Sequence, residues 1–175
     1  MHNGNNQILM GGVNVFARII VPLDGSRLSA QAVPYASEFA KRFNAEIILV
    51  RVLTPAGLTI TSLATDNQNT TANNNMPQDE PVKKEDNALN AKRYLMNWAQ
   101  SLKTLGVKAS FEVTIGTPAK AIMELAQAQQ ASLIIMMSHG RGAFKRAIIG
   151  SVADAILHGS SVPVLIIRSK DADSK

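Results

Sequence analysis

Short apolar runs rich in β-branched residues alternate with segments of helical spacing, and this alternation is what most narrows the folds open to the chain. The first run, residues 17–23 (ARIIVPL), ends in Asp24-Gly25-Ser26, a turn and helix-start signal. From Leu28 to Phe43, the positions Ala30, Val33, Ala36, Phe39, Ala40 and Phe43 recur at helical spacing and Asn44 supplies a stop. Pro34 lies inside that stretch and must either kink the helix or begin its regular part. Residues 47–53 (IILVRVL) are apolar on both faces apart from Arg51, as in parallel strands covered by helices.

Further along, Ala88, Ala91, Leu95, Trp98, Leu102 and Leu105 trace the inner face of an amphipathic helix that stops at Gly106, with Trp98 in the core. Val107, Ala109, Phe111 and Val113 alternate with polar residues and predict a half-exposed strand. Thr117 as N-cap and Pro118 at the first helical position open a helix that turns Ile122, Met123 and Ala126 inward, to about Gln130. Residues 133–137 and 163–168 read as two more strands. Between them, residues 138–150 hold Gly140, Gly142 and Gly150, and Ser151 with Asp154 forms a variant capping box for a helix ending at His158-Gly159. The pattern predicts an α/β sandwich around a parallel sheet, and there is no internal repeat.

A length of 175 residues suits one domain, and 46% hydrophobic against 18% charged residues is enough to form a core. We expect the domain at 17–168, a leader at 1–16 with Met10 as an alternative start, and a tail at 169–175. Residues 54–82 form a polar insertion rich in Asn and Thr and interrupted by Pro55, Pro77 and Pro81. It is either a plain spacer or a lid or partner-binding segment. No apolar run approaches the roughly 20 residues of a membrane span, and the start lacks the features of a secretory signal, so no membrane association is expected. The chain has no cysteine, which excludes disulfides, thiolate metal sites and Cys nucleophiles and suits a reducing, cytoplasmic setting. A net charge of +5 raises the question of nucleic acid, but aromatics are 5% and the basic residues are scattered, so we expect no nucleic-acid partner.

Open parallel sheets bind ligands beyond the carboxyl ends of their strands. Asp24 follows the first strand, and a glycine loop leading to a helix start follows the fourth. Gly140, Gly150, Ser151 and the N–H of Val152 can form an anion cradle, although turn glycines and an ordinary N-cap would read the same way. Gly140-Arg141-Gly142 does not complete a dinucleotide fingerprint, since Lys145 holds the third glycine position, and no Walker motif is present. His139 could contact a phosphate but has no partner that would make it a base. His2, His139 and His158 lack metal-ligand spacing, and no nucleophile elbow accompanies Ser26, Ser138 or Asp24, so neither a catalytic nor a protein-held metal site is expected. Arg141, Lys145 and Arg146 are either a solvated face or a cationic rim for phosphates.

These residues resemble the universal stress protein family, whose ATP-binding members carry G-x-x-G-x9-G-[ST] here. Gly140, nine residues, then Gly150-Ser151 match it, and VPLDGS, IGTPAKAIMELA and the stretch from Ser138 to Arg168 look like the family as well. The resemblance implies a Rossmann-like, three-layer sandwich related to the adenine nucleotide alpha hydrolases, with five parallel strands in the order 3-2-1-4-5. It implies that Pro22 and Asp24 contact adenine and ribose, Val52 lines the adenine pocket, and Gly140, Gly150, Ser151 and Val152 hold phosphates, with His139 close by. The nucleotide would be ATP, or AMP or ADP, with Mg²⁺ bridging the phosphates of a triphosphate. One position departs from the motif. Met137 stands where its first glycine would be, with its side chain either in the site or turned into the core. The chain is therefore expected to be a nucleotide-binding stress-response regulator without efficient turnover. The alternative is a scaffold whose nucleotide site Met137 closes. The family also implies a homodimer through the last strand, at Val164, Leu165, Ile166 and Ile167.

Overall fold

A computed structural model describes residues 15–54, 88–138 and 149–168. The proposed leader as far as residue 14, the tail and most of the polar insertion lie outside these, as do His139, Gly140, Arg141, Lys145 and Arg146. The element order is β1 (Arg18–Pro22), α1 (Arg27–Ala30), α2 (Ala32–Phe43), β2 (Glu46–Leu53), α3 (Ala88–Thr104), β3 (Lys108–Ile115), α4 (Pro118–Ala128), β4 (Leu133–Met137), α5 (Ser151–Gly159) and β5 (Val164–Ile167). The strands make one parallel sheet in the order β3-β2-β1-β4-β5, as the resemblance implies.

Because strand side chains alternate in direction, β1, β2, β4 and β5 feed two cores, while β3 contributes to the first alone. Ile19, Val21, Ile47, Leu49, Leu133, Ile135 and Met137 pack with Val33, Ala36 and Ala40 of α2 and Leu95, Ala99 and Leu102 of α3. On the other face, Ile20, Ile48, Val50, Ile134 and Met136 pack with Ile122, Leu125 and Ala126 of α4 and Ala153 and Ile156 of α5. Trp98 is half-buried against the first core, and Phe16, Phe39 and Phe43 close one end of it as an aromatic trio.

Several local expectations need correcting. The stretch from Leu28 to Phe43 is two helices, broken at Gln31. Pro34 is the third residue of α2, where its missing N–H is one that a first turn leaves unbonded anyway, so it begins the helix without kinking it. Leu105, expected inside, is 59% exposed. It sits at the end of α3, where a Schellman turn brings the Gly106 N–H to the Lys103 carbonyl (2.9 Å) and the Val107 N–H to that of Leu102 (3.0 Å). Val107 and Leu102 then bury together and Leu105 is left outside. Ala88, in the first turn of α3, is exposed too. Phe111 is 37% exposed because β3 is an edge strand whose burial fades after Ala109. Thr117 and Ser151 make no capping hydrogen bond: Thr117 holds the N-cap position of α4 without using its hydroxyl, and the N-cap of α5 is Gly150, with Ser151 already the first helical residue.

Candidate functional site

β1 pairs with β4, Ile19 opposite Leu133 and Ile20 opposite Ile134. The chain leaving β1 turns to the layer of α1 and α2, whereas the chain leaving β4 goes to α5 on the other face. The two exits diverge at the same edge of the sheet, the switch point where doubly wound sheets open a crevice.

On the β1 side, the Leu23 N–H donates to the Val50 carbonyl (2.8 Å), carrying the ladder one residue past the strand. Asp24 then closes an Asx turn, its Oδ1 accepting from the Ser26 N–H (2.9 Å), while its own N–H donates to Ser29 Oγ (3.2 Å). Ser26 Oγ caps the short α1 by accepting from the Ser29 N–H (3.0 Å). The carboxylate is thus oriented by backbone from the residues that follow it. Carboxylate oxygens offer about four acceptor positions in all, which suits a pair of hydroxyl donors. Pro22 is the half-buried last residue of β1, and Val52 is half-buried on the face that packs with α4 and α5.

On the β4 side, Ser138 is 2% exposed and its N–H donates to the Ile167 carbonyl (2.8 Å). The Gly150 N–H donates to the Ser138 carbonyl, which ties the start of α5 to the end of β4. The first intrahelical bond of α5 runs from Asp154 N–H to Gly150 O (2.9 Å). The N–H groups of Ser151, Val152 and Ala153 precede it, and among the described residues no side chain caps the helix, so three donors and the positive end of the dipole lie at this edge of the sheet. That is the chemistry an anion requires.

Pro22, Asp24, Val52, Gly150, Ser151 and Val152 all lie at this edge, while His139 and Gly140 are outside the described residues. Met137 is 3% exposed, and its side chain belongs to the core beneath α2 and α3. Arg51, buried at 4% and donating through Nη1 to the Leu23 carbonyl (3.4 Å), was not among the expected site residues. Its signal was a single charge in an otherwise apolar strand. Among the described residues, no group of three or more His, Cys, Asp or Glu side chains could hold a metal ion, and no helix is long and apolar enough to cross a membrane. A shallow depression of about 560 Å³ near Glu46, Lys103 and Lys108 lies at the opposite edge of the sheet.

Fold and strand exits together define a doubly wound α/β protein with a carboxylate and a helix N-terminus at its switch point. The Universal stress protein family profile matches residues 16–168. Universal stress protein MJ0531 of Methanocaldococcus jannaschii is 28% identical over 165 residues, covering 93% of this chain and 88% of that protein. Universal stress protein YxiE of Bacillus subtilis is 32% identical over 160 residues, covering 88% of this chain and all (100%) of that one. The structure of a universal stress protein in complex with cAMP is similar at TM-score 0.61 and 21% identity, over 87% of this chain and 97% of that one. That of the universal stress protein from Archaeoglobus fulgidus in complex with dAMP is similar at TM-score 0.59 and 19% identity, over 87% and 98%. The chain belongs to the universal stress protein family, and the structural likenesses carry its fold.

Proposed function

We propose that the chain binds an adenine nucleotide in the crevice between Asp24 and the start of α5, and acts as a stress-response regulator without efficient turnover. One observation carries this reading: a backbone-oriented carboxylate and a helix start with three N–H groups unspent among the described residues sit on adjacent strand exits at the same edge. Ribose hydroxyls donate to the first and phosphate oxygens accept from the second. Pro22 and Val52 supply apolar surface for the base. The two similar structures in complex with cAMP and dAMP hold ligands of this class.

Met137 turned into the core supports an open crevice and weighs against the scaffold reading in which it closes the site. ATP, with Mg²⁺ held through its phosphates, is the favoured occupant, AMP and ADP being the others. The protein is proposed to be cytoplasmic and to pair through β5, whose residues Val164, Leu165 and Ile166 are half-buried at a sheet edge. Native mass spectrometry of protein purified without added nucleotide tests the reading. A co-purified adenine nucleotide, or uptake of ATP or AMP in calorimetry, is the expected result. An empty protein that takes up neither would overturn it in favour of the scaffold.

A further inference from the structure

Arg51 is the one charged side chain buried among the described residues, and its neighbours on the same face of β2, Leu49 and Leu53, are buried aliphatics. Taking a guanidinium out of water is costly unless acceptors meet it, and an aliphatic side chain would fill the place without that cost. Packing therefore does not explain the residue.

One of its contacts points to a role. Nη1 of Arg51 donates to the Leu23 carbonyl at 3.4 Å, and the Leu23 N–H is held by the Val50 carbonyl at 2.8 Å. Both backbone polar groups of the residue before Asp24 are thus fixed by successive residues of β2. Beyond Leu23, the Asp24 N–H is held by the buried Ser29 hydroxyl. Val52, next to Arg51 in the strand, faces α4 and α5, so Arg51 lies behind the surface that Val52 presents.

We propose that Arg51 is a positioning residue for Asp24: by holding the Leu23 carbonyl it sets the direction in which the Asp24 carboxylate meets the ribose hydroxyls of an adenine nucleotide. The ribose part of this rests on the function proposed above, whereas the bracing of Asp24 does not.

The test uses the full chain with Arg51→Met and Arg51→Lys, amide hydrogen exchange by NMR, and calorimetry with AMP. Arg51→Met is expected to speed exchange at Asp24 and Ser26 by about tenfold while the amides of α4 and α5 stay as in the unmodified protein. Arg51→Lys, which can still donate to one carbonyl, is expected to restore most of that protection. AMP binding is expected to weaken about tenfold in Arg51→Met but not to weaken further when Asp24→Ala is already present. Should Arg51→Met not fold, Arg51→Gln carries the same comparison. Unchanged exchange at Asp24 and Ser26, or a rise spread evenly over the sheet and α4, would overturn the proposal. A local rise in exchange with no AMP binding by the unmodified protein would uphold the bracing and overturn the nucleotide reading instead.

Discussion

Gly150 donates its N–H to the carbonyl of Ser138, so the start of α5 hangs directly from the end of β4. Eleven residues separate the two in sequence, and this one contact joins the helix start to the strand end. The donors of α5 are therefore positioned by the sheet.

A change that deletes one of those donors and leaves the helix intact should separate binding from folding. Ser151→Pro does so, since proline is favoured at the first helical position and Gly150, at φ −70° and ψ 152°, already has the conformation a residue before proline needs. We expect ATP affinity to fall about tenfold with the melting temperature nearly unchanged, measured by calorimetry and thermal denaturation. Ser151→Ala, which keeps the N–H, should lose less.

Met137 gives a prediction of opposite character. Its side chain fills the core under α2 and α3, so Met137→Ala should cost about 2–5 kcal/mol in urea denaturation and leave ATP affinity within about twofold. Tighter binding with little loss of stability would place that side chain in the crevice instead.

Two helix ends predict stability changes of opposite sign. Gln130 ends α4 at φ 50°, with the Ala131 N–H on the Ala126 carbonyl (2.8 Å), a left-handed position that a side chain opposes. Gln130→Gly should stabilise by about 0.5–1 kcal/mol. Gly106, at φ +78° with open space around an added Cβ, should lose about 1 kcal/mol on change to alanine, through backbone strain alone. Chemical denaturation measures both.

At β5, the apolar edge predicts a dimer in sedimentation at micromolar concentration. Ile166→Lys should shift it to monomer, because a charge on an edge strand opposes edge-to-edge pairing.

The strands and the glycine-flanked helix start were legible because β-branched runs and turn residues announce themselves locally. β4 begins and ends where its apolar run does, and Asn44 closes α2 at φ 51° as its residue type predicts. The order of the strands came from family resemblance, since spacing along the chain does not say which strands touch. The direction of the Met137 side chain was not legible either: it depends on the parity of β4, which puts Leu133, Ile135 and Met137 on one face. Thr117 is the N-cap of α4 as its place before Pro118 predicts, though its hydroxyl is not used, whereas capping was misread at Ser151 because a hydroxyl near a helix start is consistent with several cap registers. The place of Arg51 depends on contact between β2 and the exit of β1, residues 28 apart in sequence.

The division of the interior into two cores has a mechanical consequence. Asp24 leads into the α1–α2 layer, while Ser151 opens a helix of the other layer, so the outer layers meet chiefly through the sheet they sandwich. A molecule gripped at both residues would act as a rivet through the edge, joining the two layers without passing through the strands. Its occupancy would then register as resistance of the whole molecule to unfolding, in proportion to how far ligand concentration exceeds the dissociation constant.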